Sequence, residues 1–310
     1  MRNILMILLL LVTTGCKYSF DLNDSDMKPM VAVRAKICVD STVVINVDKT
    51  VPLTMIDRMD TTLISPQYSL KCNGEEVETS FEMDGEGGMI IMSDAFKAGD
   101  KLEFVFSAED MKPISTSTEL PQPFPKYSLS LTGDESSKLI TIAYEDDPDK
   151  TNYYGALVQW KAIVSDYYPN DETGEGKEVV DGNIYIPSDF GLNLDPGAYS
   201  PTVTPFNGCY LFFWSDEDEE DNIYELSYSY RYYGATVTDR QVRCLLFTLS
   251  EEMYRTSFAE YDLTYNPFSE IGLSSPSFTY SNIHNGLGHF CGYSVTPSQW
   301  IADPVEIILQ

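Results

Sequence analysis

The sequence contains only two histidines, and its 20 basic residues are outnumbered by 48 acidic ones, giving a formal net charge of −28. A nucleic-acid-binding protein needs a basic surface that neutralises phosphates, so nucleic acid is not expected as a partner. Direct adsorption to anionic lipid is disfavoured for the same reason. A strongly negative surface keeps a protein dispersed, and it favours cationic ligands or divalent ions over anionic ligands.

Short motifs of common enzyme classes are also missing. The chain has no Gly-x-Ser-x-Gly elbow, no Walker loop and no dinucleotide fingerprint. His284 and His289 are five residues apart, and Cys291 follows closely. A metal site, a catalytic corner and a glycine-rich connection between strands are all compatible with this stretch. We expect no cofactor and no enzymatic activity.

The cysteines do not form the pattern of a disulfide framework or a zinc ribbon, because they are widely spaced and include no Cys-x-x-Cys pair. Besides Cys16, the chain contains Cys38, Cys72, Cys209, Cys244 and Cys291. One or two bridges are compatible with an oxidising compartment. Buried free thiols that pack as small apolar side chains fit the spacing better.

No apolar run approaches the roughly 20 residues that a membrane-spanning helix needs. The run from Ile4 to Val12 follows a short cationic start, and Thr13-Thr14-Gly15-Cys16 comes next. This arrangement is typical of a secretory signal, and its last four residues resemble a bacterial lipobox. We therefore predict a lipoprotein signal peptide at 1–15, lipidation of Cys16 and a tether at 16–27. The alternatives are an ordinary cleaved signal and a buried apolar segment, and the rest of the chain has no long apolar run to support the second.

The rest of the chain has the pattern of short β-strands. Apolar and polar residues alternate over 31–37 and 226–232, which indicates strands with one buried face. Turn signals fall between such segments at Asn73-Gly74, Gly85–Gly88, Asp181-Gly182 and Asn207-Gly208. The fold is therefore predicted to be all-β and sandwich-like. The tyrosines at 228–232 fit a cross-strand core better than a ligand-stacking platform.

Three alternating prolines, Pro121, Pro123 and Pro125, predict a stiff, extended connector at 121–126. Residues 28–120 have the size of one immunoglobulin-like or fibronectin-like sandwich, and 127–310 form a larger β-rich domain. One helix is predicted, at 250–262, with Ser250 as its N-cap. Its expected inner face is formed by Met253, Tyr254, Phe258 and Tyr261.

Two acidic stretches are candidate calcium sites, since Ca²⁺ prefers oxygen ligands. The run at 216–221 offers Asp216, Asp218 and Glu220 as weak candidates, but it lacks the glycine of an EF-hand loop, and a solvated hairpin tip explains it better. The stretch at 147–152 begins like a calcium loop and then has Asn152 where glycine is required. No particular pair of carboxylates stands out for glycoside hydrolysis.

Four segments together are similar to a known family: 147–154, 214–217, 249–254, and 266–268 running into 281–293. In this order, behind a lipobox, they resemble the Bacteroidetes lipoprotein family catalogued as domain of unknown function 4249. The last segment, Ser-Asn-Ile-His-Asn-Gly-Leu-Gly-His-Phe-Cys-Gly-Tyr, is the most specific. The resemblance implies a shaped connection into a strand, and its structural motif is Asn282, Asn285, Gly286, Gly288 and Gly292. His284 and His289 fall on variable positions, and Cys291 replaces a usual glycine.

The resemblance also implies a function, because such lipoproteins resemble accessory components encoded beside TonB-dependent outer-membrane transporters. We expect a lipid-anchored, non-enzymatic outer-membrane protein that captures ligand for such a transporter or docks onto it. Its orientation, cell surface or periplasmic face, stays open, as does its ligand. The alternatives are a freestanding adhesin or glycan-binding lipoprotein that uses exposed tyrosines, and a hydrolase with carboxylates that no motif reveals.

Overall fold

A computed structural model describes residues 28–51, 60–133, 138–147, 149–166, 179–183, 203–207, 209–216, 222–228, 235–265 and 280–303. These residues form eighteen strands and one helix, so the all-β prediction is confirmed. The strands of the N-terminal part are β1 (Val31–Cys38), β2 (Val43–Lys49), β3 (Gln67–Cys72), β4 (Glu75–Glu76), β5 (Thr79–Met83), β6 (Met89–Ser93), β7 (Lys101–Ser107) and β8 (Ile114–Glu119).

The C-terminal part begins after the proline-rich connector. Its strands are β9 (Tyr127–Gly133), β10 (Lys138–Tyr144), β11 (Tyr153–Asp166), β12 (Val179–Asn183), β13 (Val203–Phe206), β14 (Cys209–Ser215), β15 (Ile223–Tyr228), β16 (Ala235–Leu249), β17 (Leu287–Pro297) and β18 (Ile301–Ala302). Helix α1 (Glu251–Tyr265) lies between β16 and β17.

The strands form one large sheet and two small ones. The large sheet has the order β13-β14-β11-β16-β17-β1-β2-β6-β5, with β12 paired to β11 and β18 paired to β16. The small sheets are β4-β3-β7-β8 and β15-β10-β9. The large sheet therefore contains strands from both sides of the connector. The domain limits 28–120, 121–126 and 127–310 stay a prediction.

Local sequence explains why several strands begin and end where they do. In β1, the side chains of Val31, Val33, Ala35 and Ile37 are buried and alternate with more exposed ones, as the period-two pattern predicts. Asn73 (φ 53°) and Gly74 (φ 88°) adopt the left-handed conformations of a tight hairpin turn between β3 and β4. The glycine-rich turn before Met89 likewise joins the paired strands β5 and β6.

One turn prediction is wrong. Asp181 and Gly182 lie inside β12, where they pair with Lys161 and Trp160 of β11. An Asp-Gly dipeptide permits a tight turn but does not require one, and main-chain pairing with β11 keeps this one extended. The predicted partner strand at 184–186 lies outside the described residues. The turn at Asn207 (φ 48°) does join paired strands, β13 and β14.

Both small sheets pack on the same face of the large sheet. The four-stranded sheet covers the N-terminal core, where Phe104 and Phe106 of β7 meet Ile37, Ile45 and Ile91. The three-stranded sheet covers the second core, which includes Ile140, Ile142, Trp214, Val242 and Leu246. Helix α1 packs on the opposite face, around a third core with Met253, Phe213, Phe247, Leu249 and Cys291. The large sheet is thus the shared layer of the molecule.

The proline-rich connector lies on β17 as it crosses from the first core to the second. Leu120 and Phe124 are buried in the two cores, respectively. The Ser294 hydroxyl donates a hydrogen bond to the Gln122 carbonyl (2.8 Å), and the Phe124 amide donates one to Thr296 Oγ1 (3.2 Å). The extended connector expected from its prolines is therefore fixed along its length by packing and hydrogen bonds.

Helix α1 is confirmed, with one error in its inner face. The Met253 amide donates to Ser250 Oγ (3.2 Å), which is the predicted N-cap, and Met253 is buried. Tyr254 and Tyr261 are half-buried against the third core. Phe258, predicted to share this face, is 49% exposed. At about 100° per residue, a side chain five positions after Met253 points about 140° away from it.

The parallel pairing of β1 with β17 joins the two parts of the chain, and it depends on Gly288. Val33 pairs with Gly288, and the register continues to Cys38 beside Tyr293. Gly288 has φ +100°, and a Cβ built there would lie 2.0 Å from the Val33 carbonyl oxygen. A side chain is excluded by backbone conformation and by space at once.

We expect Gly288→Ala to lower the free energy of unfolding by at least about 2 kcal/mol, because left-handed strain and displacement of β1 add together. Denaturant unfolding measures the change. Gly74→Ala is the matched control for strain alone, since Gly74 has φ +88° and nothing within 4 Å of its Cβ position. It should cost less than Gly288→Ala. Equal losses for the two variants would contradict a role for the β1–β17 contact.

Candidate functional site

The C-terminal segment 281–293 was the main sequence candidate, and Asn282 is its centre. The Asn282 side chain accepts a hydrogen bond from the Phe290 amide (2.9 Å) and donates one to the Phe290 carbonyl (2.7 Å). The Asn282 carbonyl accepts from Thr116 Oγ1 of β8 (3.0 Å). This asparagine therefore imitates a strand partner for β17 and joins it to the four-stranded sheet.

The other motif residues shape the backbone around this clamp. Asn285 is left-handed (φ 60°), and its side chain donates to the Pro113 carbonyl (3.3 Å). A Cβ on Gly286 would lie 2.8 Å from the Val31 carbonyl oxygen, so Gly286 is needed for space. Both backbone groups of Gly292 bind Ser250. The Gly292 carbonyl accepts a hydrogen bond from the Ser250 amide (2.9 Å), and the Gly292 amide donates one to the side-chain Oγ of Ser250 (3.2 Å).

The structure does not gather His284, His289 and Cys291 around a common point. His284 is exposed, and its backbone forms an isolated bridge with Ser115. His289 pairs with Arg34 on β1. Cys291 is buried, with Sγ 3.4 Å from the Ala35 carbonyl and 3.5 Å from Met253 Sδ.

Burial raises the pKa of the Cys291 thiol to about 12, so at neutral pH it keeps its proton. A protonated thiol is neither a strong nucleophile nor a metal ligand. Cys291 therefore packs as an apolar side chain between β1 and helix α1. Of the three readings compatible with this stretch in the sequence, the geometry favours the connection between strands.

In the 281–293 segment, the titration of His289 affects the stability of the fold. Burial, assisted by the neighbouring cations Lys36 and Arg34 and opposed by Glu260, lowers the pKa of His289 to about 4. Lys36 is itself paired with Glu260 of helix α1 (3.0 Å). Native His289 is therefore neutral across the physiological pH range.

A second polar cluster surrounds Asn152, at the start of β11. Asp216 Oδ2 accepts from both the amide (2.7 Å) and the side chain (3.0 Å) of Asn152. Asp146 Oδ1 accepts from the Asn152 side chain (3.1 Å) and from the Tyr154 hydroxyl (2.7 Å). Partial burial raises the pKa of Asp216, opposed by the Asn152 hydrogen bonds and reinforced by the nearby Asp146. Asn152, which broke the calcium-loop pattern, thus crosslinks two acidic segments.

Of the three candidate calcium ligands, only Asp216 lies within the described residues, and it belongs to the cluster around Asn152. Asp218, Glu220 and the predicted lipidation site Cys16 lie outside them. In the ranges that the structure covers, no group of three or more histidines, cysteines or acids is arranged to hold a metal ion. The calcium and lipidation sites stay predictions.

Two surface features were not found from the sequence. Aromatic rings form a ladder in which Tyr153 stacks on Tyr254 (4.6 Å between centroids), followed by Phe258 (6.5 Å) and Tyr261 (6.4 Å from Phe258). Every tyrosine whose burial is described is buried or half-buried, so Phe258 is the ladder's exposed member. The sequence predicts Tyr254, Phe258 and Tyr261 on one helix face, but the stacking of Tyr153 of β11 on Tyr254 joins distant parts of the chain, which local patterns do not reveal.

The second feature is a cationic cluster on an otherwise acidic chain. Lys161 Nζ lies 4.4 Å from the centroid of the Trp300 ring, and the Arg243 guanidinium lies 4.5 Å from it. Such contacts stabilise a cation over an aromatic face. The Arg243 side chain also donates to Gln159 Oε1 (2.7 Å), which fixes it along β11.

Cys38, Cys72, Cys244 and Cys291 are free; Cys244 and Cys291 are buried, and Cys38 and Cys72 are half-buried. Within the residues that the structure describes, no helix has both the length and the apolar character that a membrane span needs.

Comparison with known proteins places the chain in a family. The family model described as "Domain of unknown function (DUF4249)" matches residues 17–299. The chain belongs to the DUF4249 family. The motif residues of this DUF4249 protein at 282–292 lie inside the match. No curated protein matches the sequence significantly.

One similar solved structure is described as "Structure of Yersinia pseudotuberculosis adhesin InvE". It is 8% identical, and the alignment covers 70% of this chain and 55% of that chain, with a TM-score of 0.21. The DUF4249 protein thus spans about half the length of that adhesin. A likeness this weak supports no conclusion about function.

Neutral burial of His289 predicts a pH dependence of stability. In the unfolded chain His289 takes up a proton near pH 6.5, and in the native chain only near pH 4. His289 therefore leaves the free energy of unfolding unchanged above pH 6.5 and lowers it as the pH falls from 6.5 to 4. From pH 7 to pH 5, His289 should account for a loss of about 2 kcal/mol in the free energy of unfolding. Urea unfolding at both pH values measures it.

The control uses the other histidine. His289→Gln should flatten the pH dependence by this amount, whereas His284→Gln, at an exposed position, should leave it as in the wild type. An unchanged slope in His289→Gln would contradict neutral burial.

Proposed function

We propose that this DUF4249 protein is a lipid-anchored, non-enzymatic lipoprotein of the outer membrane that acts as an accessory or ligand-capture partner of a TonB-dependent transporter. The observation that carries the anchor is the lipobox-like sequence ending at Cys16, directly before residue 17, where the family match begins. A diacylated or triacylated cysteine would hold an otherwise water-exposed module on a membrane, since stable anchoring takes more than one acyl chain.

The residues of the 281–293 motif have structural roles, and this supports a recognition function over a catalytic one. Asn282, Gly286 and Gly288 serve backbone geometry, and Cys291 is a protonated packing residue. These residues preserve a rigid sheet, and a rigid sheet presents its loops and edges for binding. The proposed transporter partnership rests on the family resemblance, because such lipoproteins resemble accessory components encoded beside TonB-dependent transporters.

A glycan-binding or adhesive function is the second candidate, and the exposed Phe258 favours it. Aromatic faces accept sugar rings, and Phe258 is 49% exposed on a ladder with Tyr254 and Tyr261. None of the tyrosines whose burial the structure describes is exposed, so Phe258 is the aromatic contact offered there; the burial of the tyrosines at 228–232 lies outside this description. The hydrolase hypothesis names no carboxylate pair; the neighbouring Asp146 and Asp216 accept hydrogen bonds from Asn152 and Tyr154.

The partnership predicts a specific co-purification. Affinity purification of the tagged protein from native envelopes, solubilised in mild detergent, should recover a TonB-dependent transporter as the main partner, identified by mass spectrometry. Repeated purifications that return no transporter would contradict the proposal. A Phe258-dependent signal on glycan arrays in the same preparation would then favour the second candidate.

The variant Cys16→Ala tests the lipid anchor independently of the transporter partnership. This variant should move from the membrane fraction to the soluble fraction and lose its acyl mass, whereas Cys72→Ala, which removes a half-buried free thiol of β3, should stay with the membrane. Membrane retention of an unacylated Cys16→Ala protein would contradict the lipid anchor while leaving the partnership testable.

A further inference from the structure

Strand β5 ends the large sheet and has one unused edge. It pairs with β6 from Thr79 beside Ser93 to Met83 beside Met89. Across the described ranges, no strand pairs with its other side. An edge strand with unpaired N–H and C=O groups is a template for another extended chain.

Apolar side chains reach solvent along this edge. Phe81 and Met83 lie on the same face as their core-forming partners Ile91 and Met89, yet they are 56% and 44% exposed. The Phe81 ring meets the Tyr68 ring of β3 edge-on, with 6.1 Å between centroids and an angle of 80°. The apolar interior of the first sandwich therefore opens between its two sheets at β5.

Charge along the edge is mostly negative. Residues 72–96 contain seven acidic residues and no basic one. Glu78 and Glu82 are exposed within and beside β5, and Glu75 and Glu86 are exposed in the segments that flank it, whereas Glu76 is paired with Lys71 (3.8 Å). Proteins commonly block an edge with lysine, whereas this edge repels acidic chains and attracts basic ones.

We propose that β5 binds an extended basic polypeptide segment by strand addition. The segment's main chain would pair with Thr79–Met83, its apolar side chains would cover Phe81 and Met83, and its lysines or arginines would face Glu78 and Glu82. Alternation with period two makes these contacts compatible in one strand. A second copy of this chain is not the occupant, because pairing β5 with itself would bring Glu78 and Glu82 of one copy beside the same acids of the other. The inference does not depend on the transporter partnership.

A defined peptide tests the proposal. The fluorescent heptapeptide with the one-letter sequence KVKFKVK should bind the purified full-length protein at low salt, measured by fluorescence anisotropy, and should bind more weakly as salt rises. A peptide with glutamate in place of each lysine should bind at least about tenfold more weakly. N-methylation of alternate residues, which removes the pairing N–H groups, should cost a similar factor. Absence of binding, or equal binding of the three peptides, would overturn the proposal.

Protein variants locate the site. Phe81→Ala and Met83→Ala together should weaken binding of KVKFKVK about tenfold, and Glu82→Gln about twofold to fivefold at low salt. Matched controls are Val105→Ala and Glu103→Gln, because Val105 is 46% exposed and Glu103 is exposed, but both lie on β7, an interior strand. If the β7 variants weaken binding as much as the β5 variants, the site is not β5.

Hydrogen exchange supplies a readout that does not depend on substitution. Amides of β5 that exchange rapidly in the unliganded protein should become protected when KVKFKVK is added. If these amides are already protected without peptide, the chain itself covers the edge and the proposal fails. Phe81 and Glu82 are exposed, so their variants should retain the wild-type unfolding midpoint.

Discussion

The parallel contact between β1 and β17 is the interaction on which the architecture depends. It joins a strand from the start of the described chain to one near its end, over the register from Ala32–Leu287 to Cys38–Tyr293. Because of it, the large sheet extends beneath both small sheets, and the connector is packed on β17. Gly288 permits the approach, and Asn282 keeps the other side of the segment paired.

This constraint gives the segment at 281–293 a structural meaning. Side chains that suggest chemistry in the sequence have different roles: His289 is kept neutral beside Lys36, and Cys291 contacts Ala35 and Met253. The features that remain available to partners lie elsewhere, at the open edge of β5 and at Phe258 on helix α1.

Local signals predicted local structure well. Alternation found β1, Ser250 located the start of helix α1, and Asn73-Gly74 located a hairpin. Contacts between distant parts of the chain were beyond such signals: nothing in a period-two pattern states that β17 pairs with β1. The Asp181-Gly182 error arises from pairing with β11, whereas the Phe258 error arises from helical spacing, which points this side chain away from Met253. The crosslink of Asp146 and Asp216 by Asn152 likewise required the folded chain.

The shared sheet is tested most directly by following unfolding in both parts of the molecule at once. All three tryptophans, Trp160, Trp214 and Trp300, follow the connector, so their fluorescence reports the C-terminal part. Pulsed hydrogen exchange at Val33, Ile45 and Ile91 reports the N-terminal part during the same urea titration. Because β1 and β17 belong to one sheet, we expect one transition with coincident midpoints. Two separate transitions would contradict the account.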